Sequence, residues 1–201
     1  MRIGIDFDNT IACYDGVFHR AAVERELIPE TLGTDKNTVR NYLREIGKED
    51  DWTELQGYVY GARMDLVNVY DGFMSFVKAA RAKGHDLVIV SHKTKTPFMG
   101  PKYDLHEAAR DFLVAKKISA ADAVPAIFFE LTLEEKAARI EGEGCDFFVD
   151  DLPELLFHNA FPKRTGRILF DPNNHHDGDK LPNGDVARHS SWKSISDALL
   201  S

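Results

Sequence analysis

Two aspartates follow the first apolar run of the chain. The stretch IGIDFDNT, residues 3–10, places Asp6 and Asp8 two residues apart, with Asn9 and Thr10 behind them. A buried strand excludes carboxylates, because an ionised group loses its hydration there. The pair is therefore expected where a strand ends and opens to a site. Carboxylates in such a place can bind a cation, attack an electrophile or transfer a proton.

Other polar residues follow later apolar runs in the same way. One set follows LVIV at 87–90, another ends DFFVDD at 146–151, and a lysine lies in the helical pattern before that second run. Ligands of open parallel sheets bind beyond the carboxyl ends of the strands, so these residues are expected to share one site. They are Ser91, His92, Lys93, Lys136, Asp150 and Asp151.

The elements that must position these residues alternate along the chain. Continuous apolar runs predict strands buried on both faces, at 3–7, 86–91, 126–129, 146–150 and 167–171. Helical periodicity occurs at 70–84, 103–117, 131–144 and 190–200, and Thr132 with Glu135 predicts a capping box. Strands alternating with helices predict an α/β protein with a three-layer, Rossmann-like fold and a mostly parallel central sheet.

The region from residue 11 to residue 69 breaks this alternation. It contains helix-like segments at 16–27, 36–47 and 51–62 and no convincing strand. We interpret residues 15–69 as a small helical cap inserted over the edge of the sheet, and residues 1–14 and 70–201 as the catalytic core. That these helices simply pack on the sheet is the alternative. A loop rich in Pro, Gly and Asn follows at 171–185.

Composition excludes several classes of protein. The chain has 201 residues, 43% of them hydrophobic, and a formal net charge of −8, which argues against a nucleic-acid binder. Its apolar runs are far shorter than a membrane span needs. Cys13 and Cys145 are far apart and indicate a reducing compartment without disulfides. A cytoplasmic monomer or homodimer that acts on a small molecule is expected.

The order and spacing of these residues resemble the four motifs of the haloacid dehalogenase (HAD) superfamily. DFDNT resembles its nucleophile motif, Ser91 its hydroxyl at the second strand, Lys136 its basic residue, and FFVDD its acidic pair. The resemblance covers the whole chain, with the cap where that superfamily places its first cap type. Cap size and the DDLPE stretch further resemble the deoxyribonucleotidase-like phosphatases.

The resemblance implies a role for each motif residue. Asp6 would attack phosphorus and form an aspartyl-phosphate, and Asp8 would serve as general acid and then general base. Ser91 and the backbone amides of the Asn9–Thr10 turn would bind the phosphoryl oxygens, while Lys136 holds the nucleophile.

A magnesium ion is expected because four aspartates cannot bind a phosphate dianion alone. Unit charges about 4 Å apart interact by roughly 4 kcal/mol at a near-surface effective dielectric. A hard divalent cation with oxygen ligands offsets half of the charge. The resemblance implies that Mg²⁺ is bound by the Asp6 side chain, the Asp8 backbone carbonyl and Asp150. Asp151 would act through water or orient Lys136. Manganese is the alternative ion.

Within the superfamily, an aspartate at the position of Asp8 favours phosphoryl-transfer enzymes over dehalogenases. Dehalogenases of the superfamily lack an aspartate there, whereas phosphatases and phosphomutases carry one. The chain is therefore expected to be a phosphatase acting on a small phosphorylated metabolite, either a nucleoside monophosphate or a sugar phosphate. A phosphomutase and a catalytically silent binding protein on the same fold are the alternatives.

For several residues the sequence leaves two alternative roles open. His92, Lys93 and Arg63 are candidates for binding the non-reacting part of the substrate, or belong to solvated surface. Arg139, one turn after Lys136, is a rival for the basic position. Asp151 could cap the helix that starts near Leu152. The pair His175–His176 fits a surface loop better than a metal site, because no ligand spacing accompanies it.

Overall fold

The computed structural model describes residues 1–176 and 186–201, and these residues form two compact units. The first, called here the core unit, comprises Met1–Ala12, Val69–Lys93 and Lys116–Ser201. The second, called the insert unit, comprises Cys13–Asn68 and Thr94–Ala115. In chain order the elements are β1 (Arg2–Ile5), β2 (Ala12–Cys13), α1 (Val17–Glu24), α2 (Lys36–Glu45), α3 (Glu49–Ala62), a 3-10 turn (Met64–Leu66), β3 (Asn68–Val69), α4 (Phe73–Ala82), β4 (Asp86–His92), α5 (Leu105–Ala115), β5 (Ala126–Glu130), α6 (Leu133–Gly142), β6 (Phe147–Asp150), α7 (Pro153–Leu156), β7 (Gly166–Phe170), β8 (Val186–His189) and α8 (Trp192–Leu200).

A six-stranded sheet forms the centre of the core unit. Its strand order is β5-β4-β1-β6-β7-β8, and all neighbouring strands pair in parallel. The predicted α/β fold with a mostly parallel sheet is therefore confirmed, as are the five predicted strands. The edge strand β8 was not predicted, because VARH is only four residues long and two of them, Arg188 and His189, are polar, so no apolar run stands out.

Apolar side chains cover both faces of this sheet. On one face Val88, Val90 and Phe148 pack against Ile140 of α6 and Leu155 of α7. On the other face the Trp192 ring of α8 lies between three phenylalanines, with ring centroids 4.9 Å from Phe73, 4.9 Å from Phe76 and 5.5 Å from Phe170. Burial on both faces explains why the strands read as continuous apolar runs.

The insert unit is helical and has its own aromatic core. Phe18 of α1 packs against Trp52 and Tyr60 of α3, with centroid distances of 5.3 and 5.7 Å. Asp35 caps α2 by accepting a hydrogen bond of 2.8 Å from the Thr38 amide. The three helices predicted at 16–27, 36–47 and 51–62 are thus present as α1, α2 and α3.

The insert unit also includes residues 94–115, which the sequence had placed in the core. Two glycines one turn apart on α3 allow this segment to approach closely. A Cβ at Gly57 would lie 2.9 Å from Cγ of Pro97, and one at Gly61 would lie 2.8 Å from Cδ2 of Tyr103. The helix of this segment, α5, matches the strand–helix alternation, so its sequence pattern favoured the core.

No helix among residues 1–176 and 186–201 is long and apolar enough to cross a membrane. Of the predicted loop at 171–185, residues 177–185 lie outside the described residues. In the described part, the amides of His175 and His176 donate to the buried Asp171 carboxylate at 2.8 and 3.1 Å.

Candidate active site

Strand register brings the first carboxylates together. Ile5 at the end of β1 pairs with Val149 of β6, so the next residues, Asp6 and Asp150, are neighbours at the carboxyl edge of the sheet. The Asp6 amide donates to the Val149 carbonyl at 2.9 Å and continues the pairing by one residue. Asp6 is 4% exposed and Asp150 is fully buried. The sheet therefore holds two carboxyl groups away from bulk water.

Lys136 lies between these two carboxylates. Its Nζ is 2.6 Å from Oδ1 of Asp6 and 2.6 Å from Oδ2 of Asp150. The predicted capping box is present: Thr132 Oγ1 accepts from the Glu135 amide at 3.1 Å, and the Glu135 carboxylate accepts from the Thr132 amide. This cap sets the start of α6, so that Lys136, at the fourth helical position, reaches the sheet.

Burial sets the protonation of this cluster. Burial is the main reason that the pKa of Asp6 is raised to about 7. The charge of Lys136 lowers this pKa and repulsion from Asp150 raises it, so the increase remains. Burial alone would lower the pKa of Lys136, but the charges of Asp150 and Asp6 outweigh it and hold this pKa above its ordinary value. Lys136 therefore stays a cation, while Asp6 takes up a proton near neutral pH.

Asp151 completes a group with the chemistry of a hard-cation site. One carboxylate oxygen from each of Asp6, Asp150 and Asp151 lies within 4.8 Å of the other two. Burial, together with repulsion from Asp150 and Asp6, raises the pKa of Asp151 well above its usual value. Two buried carboxyls and a half-buried one that repel one another fit a divalent cation with oxygen ligands, because such an ion offsets the repulsion. The donor set thus fits the expected magnesium ion.

Two buried hydroxyls near this edge have no hydrogen-bond partner. Ser91 is 1% exposed and Thr10 is fully buried, and neither Oγ of Ser91 nor Oγ1 of Thr10 is bonded within the described residues. Register places Ser91 beside the first motif, because Ile89 two residues earlier pairs with Ile5 of β1. An unbonded buried hydroxyl costs free energy, so these groups are suited to bind an incoming ligand.

The turn after β1 is fixed by its own backbone. Amides of Ile11 and Ala12 donate to the Phe7 carbonyl at 3.0 and 2.9 Å, and Asn9 adopts a left-handed conformation with φ 54°. The Asn9 amide donates to the Ala12 carbonyl at 2.9 Å. That amide is engaged inside the turn, in contrast to the expectation that it binds a phosphoryl oxygen.

The ammonium group of Lys93 contacts the Asp8 carboxylate, a contact that the sequence did not suggest. Its Nζ is 2.8 Å from Oδ2 and 3.1 Å from Oδ1 of Asp8, and its side chain is only 4% exposed. The sequence proposed Lys93 for the non-reacting part of a substrate. Lys93 directly follows β4 and is two residues from Ser91, and residues two apart in an extended chain share a face, which was the available signal that Lys93 lies near Ser91.

The other two residues predicted to contact the substrate, His92 and Arg63, form contacts of their own. His92 is exposed, and its Nε2 donates to the Leu131 carbonyl at 2.9 Å. Arg63 belongs to the insert unit, where its Nε is 3.0 Å from Oδ1 of Asp65 and its Nη1 contacts Glu24. Arg139, the rival of Lys136, binds Glu130 at 2.7 Å and stacks over a phenylalanine ring instead.

Comparison with known proteins shows which solved structures share this fold. The sequence matches no protein-family model, and no curated protein is significantly similar to it. Solved structures are similar: a haloacid dehalogenase-like hydrolase from Streptococcus pneumoniae has a TM-score of 0.64 and 11% identity over 98% of this chain and 97% of its own. A predicted phosphatase from Clostridium acetobutylicum has a TM-score of 0.61 and 14% identity, with 99% and 97% covered.

A HAD family hydrolase from Deinococcus radiodurans, with bound phosphate and sodium, has a TM-score of 0.59 and 15% identity, with 98% and 94% covered. The similarity extends over nearly the whole length of each chain. The protein therefore has the fold of the HAD superfamily hydrolases.

Proposed function

We propose that this protein is a magnesium-dependent phosphatase that hydrolyses small phosphomonoesters through an aspartyl-phosphate on Asp6. The arrangement of Lys136 between Asp6 and Asp150 is the observation that carries the proposal. The Lys136 ammonium group binds one carboxylate oxygen of Asp6, and the second oxygen is left to attack phosphorus. A merely structural ion pair would not need the third carboxyl group of Asp151 beside it.

The charges of the site support a divalent cation. Asp6, Asp8, Asp150 and Asp151 are balanced in part by Lys136 and Lys93, which leaves two negative charges when all six groups are ionised. Magnesium would be held by Asp6, Asp150 and the Asp8 carbonyl, with Asp151 beside them, and would supply charge neutralisation for the phosphoryl oxygens.

In the first step the free carboxylate oxygen of Asp6 attacks phosphorus in line with the ester oxygen. An Asp6 O–P bond forms and the ester P–O bond breaks. Asp8 gives its proton to the leaving oxygen. The Ser91 hydroxyl donates to a phosphoryl oxygen, and Lys136 keeps Asp6 oriented.

In the second step a water molecule attacks the phosphorus of the aspartyl-phosphate. Asp8, now a carboxylate, takes a proton from this water. The Asp6 O–P bond breaks, phosphate leaves and Asp8 is protonated again for the next cycle. Both steps thus use the same two aspartates, which explains why the motif needs both.

Burial of the site favours small substrates. Asp6, Ser91 and Lys136 are each less than 5% exposed, so a phosphate must leave bulk water to reach them. A terminal phosphate on a small group can do so, whereas the backbone of a nucleic-acid polymer cannot. We therefore propose a nucleoside monophosphate or a sugar phosphate as substrate. The bound phosphate of the Deinococcus radiodurans hydrolase is in keeping with a phosphate ligand.

The test is phosphate release from a panel of nucleotides and sugar phosphates. The wild-type protein is measured with magnesium and with chelator, beside Asp6→Asn and the control Asp146→Asn. Asp146 precedes β6 at the opposite end of the strand from Asp150 and binds the Arg2 amide at 2.7 Å. We expect metal-dependent release that Asp6→Asn abolishes and Asp146→Asn preserves. Release that survives Asp6→Asn would refute the role of Asp6. Transfer of phosphate between positions of a sugar, without release, would identify a phosphomutase instead.

A further inference from the structure

The contact between Lys93 and Asp8 has a geometry that a solvated loop lysine does not show. The ammonium group lies within hydrogen-bond distance of both Asp8 oxygens, at 2.8 and 3.1 Å. The Lys93 side chain is 4% exposed, and its Nζ lies 5.4 Å from the centroid of the Phe7 ring. Burying a lysine costs free energy unless its charge is compensated. Here the Asp8 carboxylate compensates it, so the contact holds the side chain in place.

Backbone pairing fixes the position from which Lys93 reaches Asp8. The Lys93 amide donates to the Glu130 carbonyl at 2.8 Å, which extends the pairing of β4 with β5 past the last strand residue. Phe7, which packs under the ammonium, is itself fully buried and lies 6.1 Å from the Phe129 ring. The lysine therefore starts from a rigid strand end rather than from a mobile loop.

Asp8 is the more exposed of the two motif aspartates. Its side chain is 22% exposed, compared with 6% for Asp6. A carboxylate at the surface of a turn samples several rotamers, whereas proton transfer requires one oxygen within hydrogen-bond reach of the leaving group. Binding of both carboxylate oxygens by one ammonium group restricts the rotation of the carboxylate.

We propose that Lys93 is a positioning residue that holds the Asp8 carboxyl group in the orientation required for proton transfer to and from the substrate. This inference rests on the proposed function, because it takes Asp8 as the group that protonates the leaving oxygen. Lys93 acts through Asp8 and does not itself bind the phosphoryl group.

The test compares two esters that differ in their need for a proton. p-Nitrophenyl phosphate releases a stable phenolate without protonation, whereas an alkyl phosphate such as a sugar phosphate needs an acid. We measure kcat/KM for both esters with the wild-type protein, Lys93→Met, Lys93→Arg, Asp8→Asn and the double variant. Lys95→Met is the matched control, since Lys95 is 69% exposed and lies 3.9 Å from Asp104 in the insert unit.

General acid catalysis contributes about 100-fold or more, so we expect Lys93→Met to lower kcat/KM for the alkyl ester about tenfold to 100-fold more than for p-nitrophenyl phosphate. Lys93→Arg should restore part of this difference, and Lys95→Met should show none. Lys93→Met should add little to Asp8→Asn, because both changes remove the same proton transfer. The ratio of the two esters is measured on one preparation, so partial unfolding of a variant cancels.

Equal losses on both esters would overturn the inference and assign Lys93 to binding or folding. So would a double variant whose loss is the product of the single losses. These outcomes are distinct from failure of the proposed function, in which the wild-type protein releases no phosphate from either ester. That last result would overturn both.

Discussion

The ammonium nitrogen of Lys136 lies 2.6 Å from Oδ1 of Asp6, although 130 residues separate the two in the chain. The same nitrogen binds Asp150, so one cation compensates two buried carboxylates. A buried ion pair of this kind is poor evidence for stability, because desolvation offsets the attraction. In the proposed function, this geometry serves to orient Asp6 for attack on phosphorus.

Replacing Lys136 tests whether Lys136, rather than Arg139 on the same helix, is the basic residue of the site. Lys136→Ala should abolish measurable phosphatase activity, because the nucleophile loses its cation and two carboxylates are left uncompensated. Arg139→Ala on the same helix should stay within a few-fold of wild type, since Arg139 binds Glu130 and is 41% exposed. Phosphate release and a melting curve are measured for both. Loss of activity in Arg139→Ala alone would show that the assignment is wrong.

Replacing Asp150 tests the cation site. Asp150→Asn should weaken magnesium binding by at least about tenfold, since removing a ligand charge affects a hard-cation site directly. The same change at Asp146, on the other end of β6, should leave binding unchanged. Titration calorimetry with magnesium alone measures this without any substrate. Equal affinity in Asp150→Asn and wild type would exclude Asp150 from the metal site.

The pH dependence of magnesium binding follows from the raised pKa of Asp6. Because the pKa is about 7 in the folded protein and 3.8 in its reference state, the folded state binds this proton more tightly than the unfolded chain. The stability that this proton contributes is fully present below about pH 4 and is lost as pH rises through 7. Magnesium must displace the proton at low pH, so its apparent affinity should fall about tenfold per pH unit below 7.

Melting temperatures with and without magnesium provide the measurement. The rise caused by magnesium should be larger at pH 8 than at pH 5.5, where Asp6 holds its proton. Asp6→Asn removes one titrating group and should flatten the difference. A magnesium effect that is equal at both pH values would contradict the proton–metal competition.

Ser91 provides a prediction in which stability and activity separate. Its buried hydroxyl has no partner within the described residues, and such a group costs about 1–3 kcal/mol. Ser91→Ala should therefore melt at the same temperature as wild type or slightly higher. Its kcat/KM should nevertheless fall about tenfold to 100-fold, because a donor to the phosphoryl oxygen is lost. A destabilised Ser91→Ala with unchanged kinetics would place the hydroxyl in the fold rather than in the site.

The sequence predicted the sheet, and the position of Asp6 and Asp150 at its carboxyl edge, for a physical reason. Strands buried on both faces leave continuous apolar runs, and carboxylates such as Asp6 and Asp150 mark where those runs end. The membership of 94–115 in the insert unit could not be predicted, because it depends on the close approach allowed by Gly57 and Gly61. The contact of Lys93 with Asp8 is likewise a tertiary one, which a local pattern does not encode.

The measurement that tests the central claim most directly is chemical trapping of the intermediate. The protein is mixed with magnesium and a phosphate ester that it hydrolyses, quenched in acid and digested, and the peptide that contains residues 3–10 is analysed by mass spectrometry. We predict a phosphoryl group on Asp6 in the wild-type protein and none in Asp6→Asn. A phosphoryl group on another residue, or rapid turnover with no modified peptide at any quench time, would contradict the account.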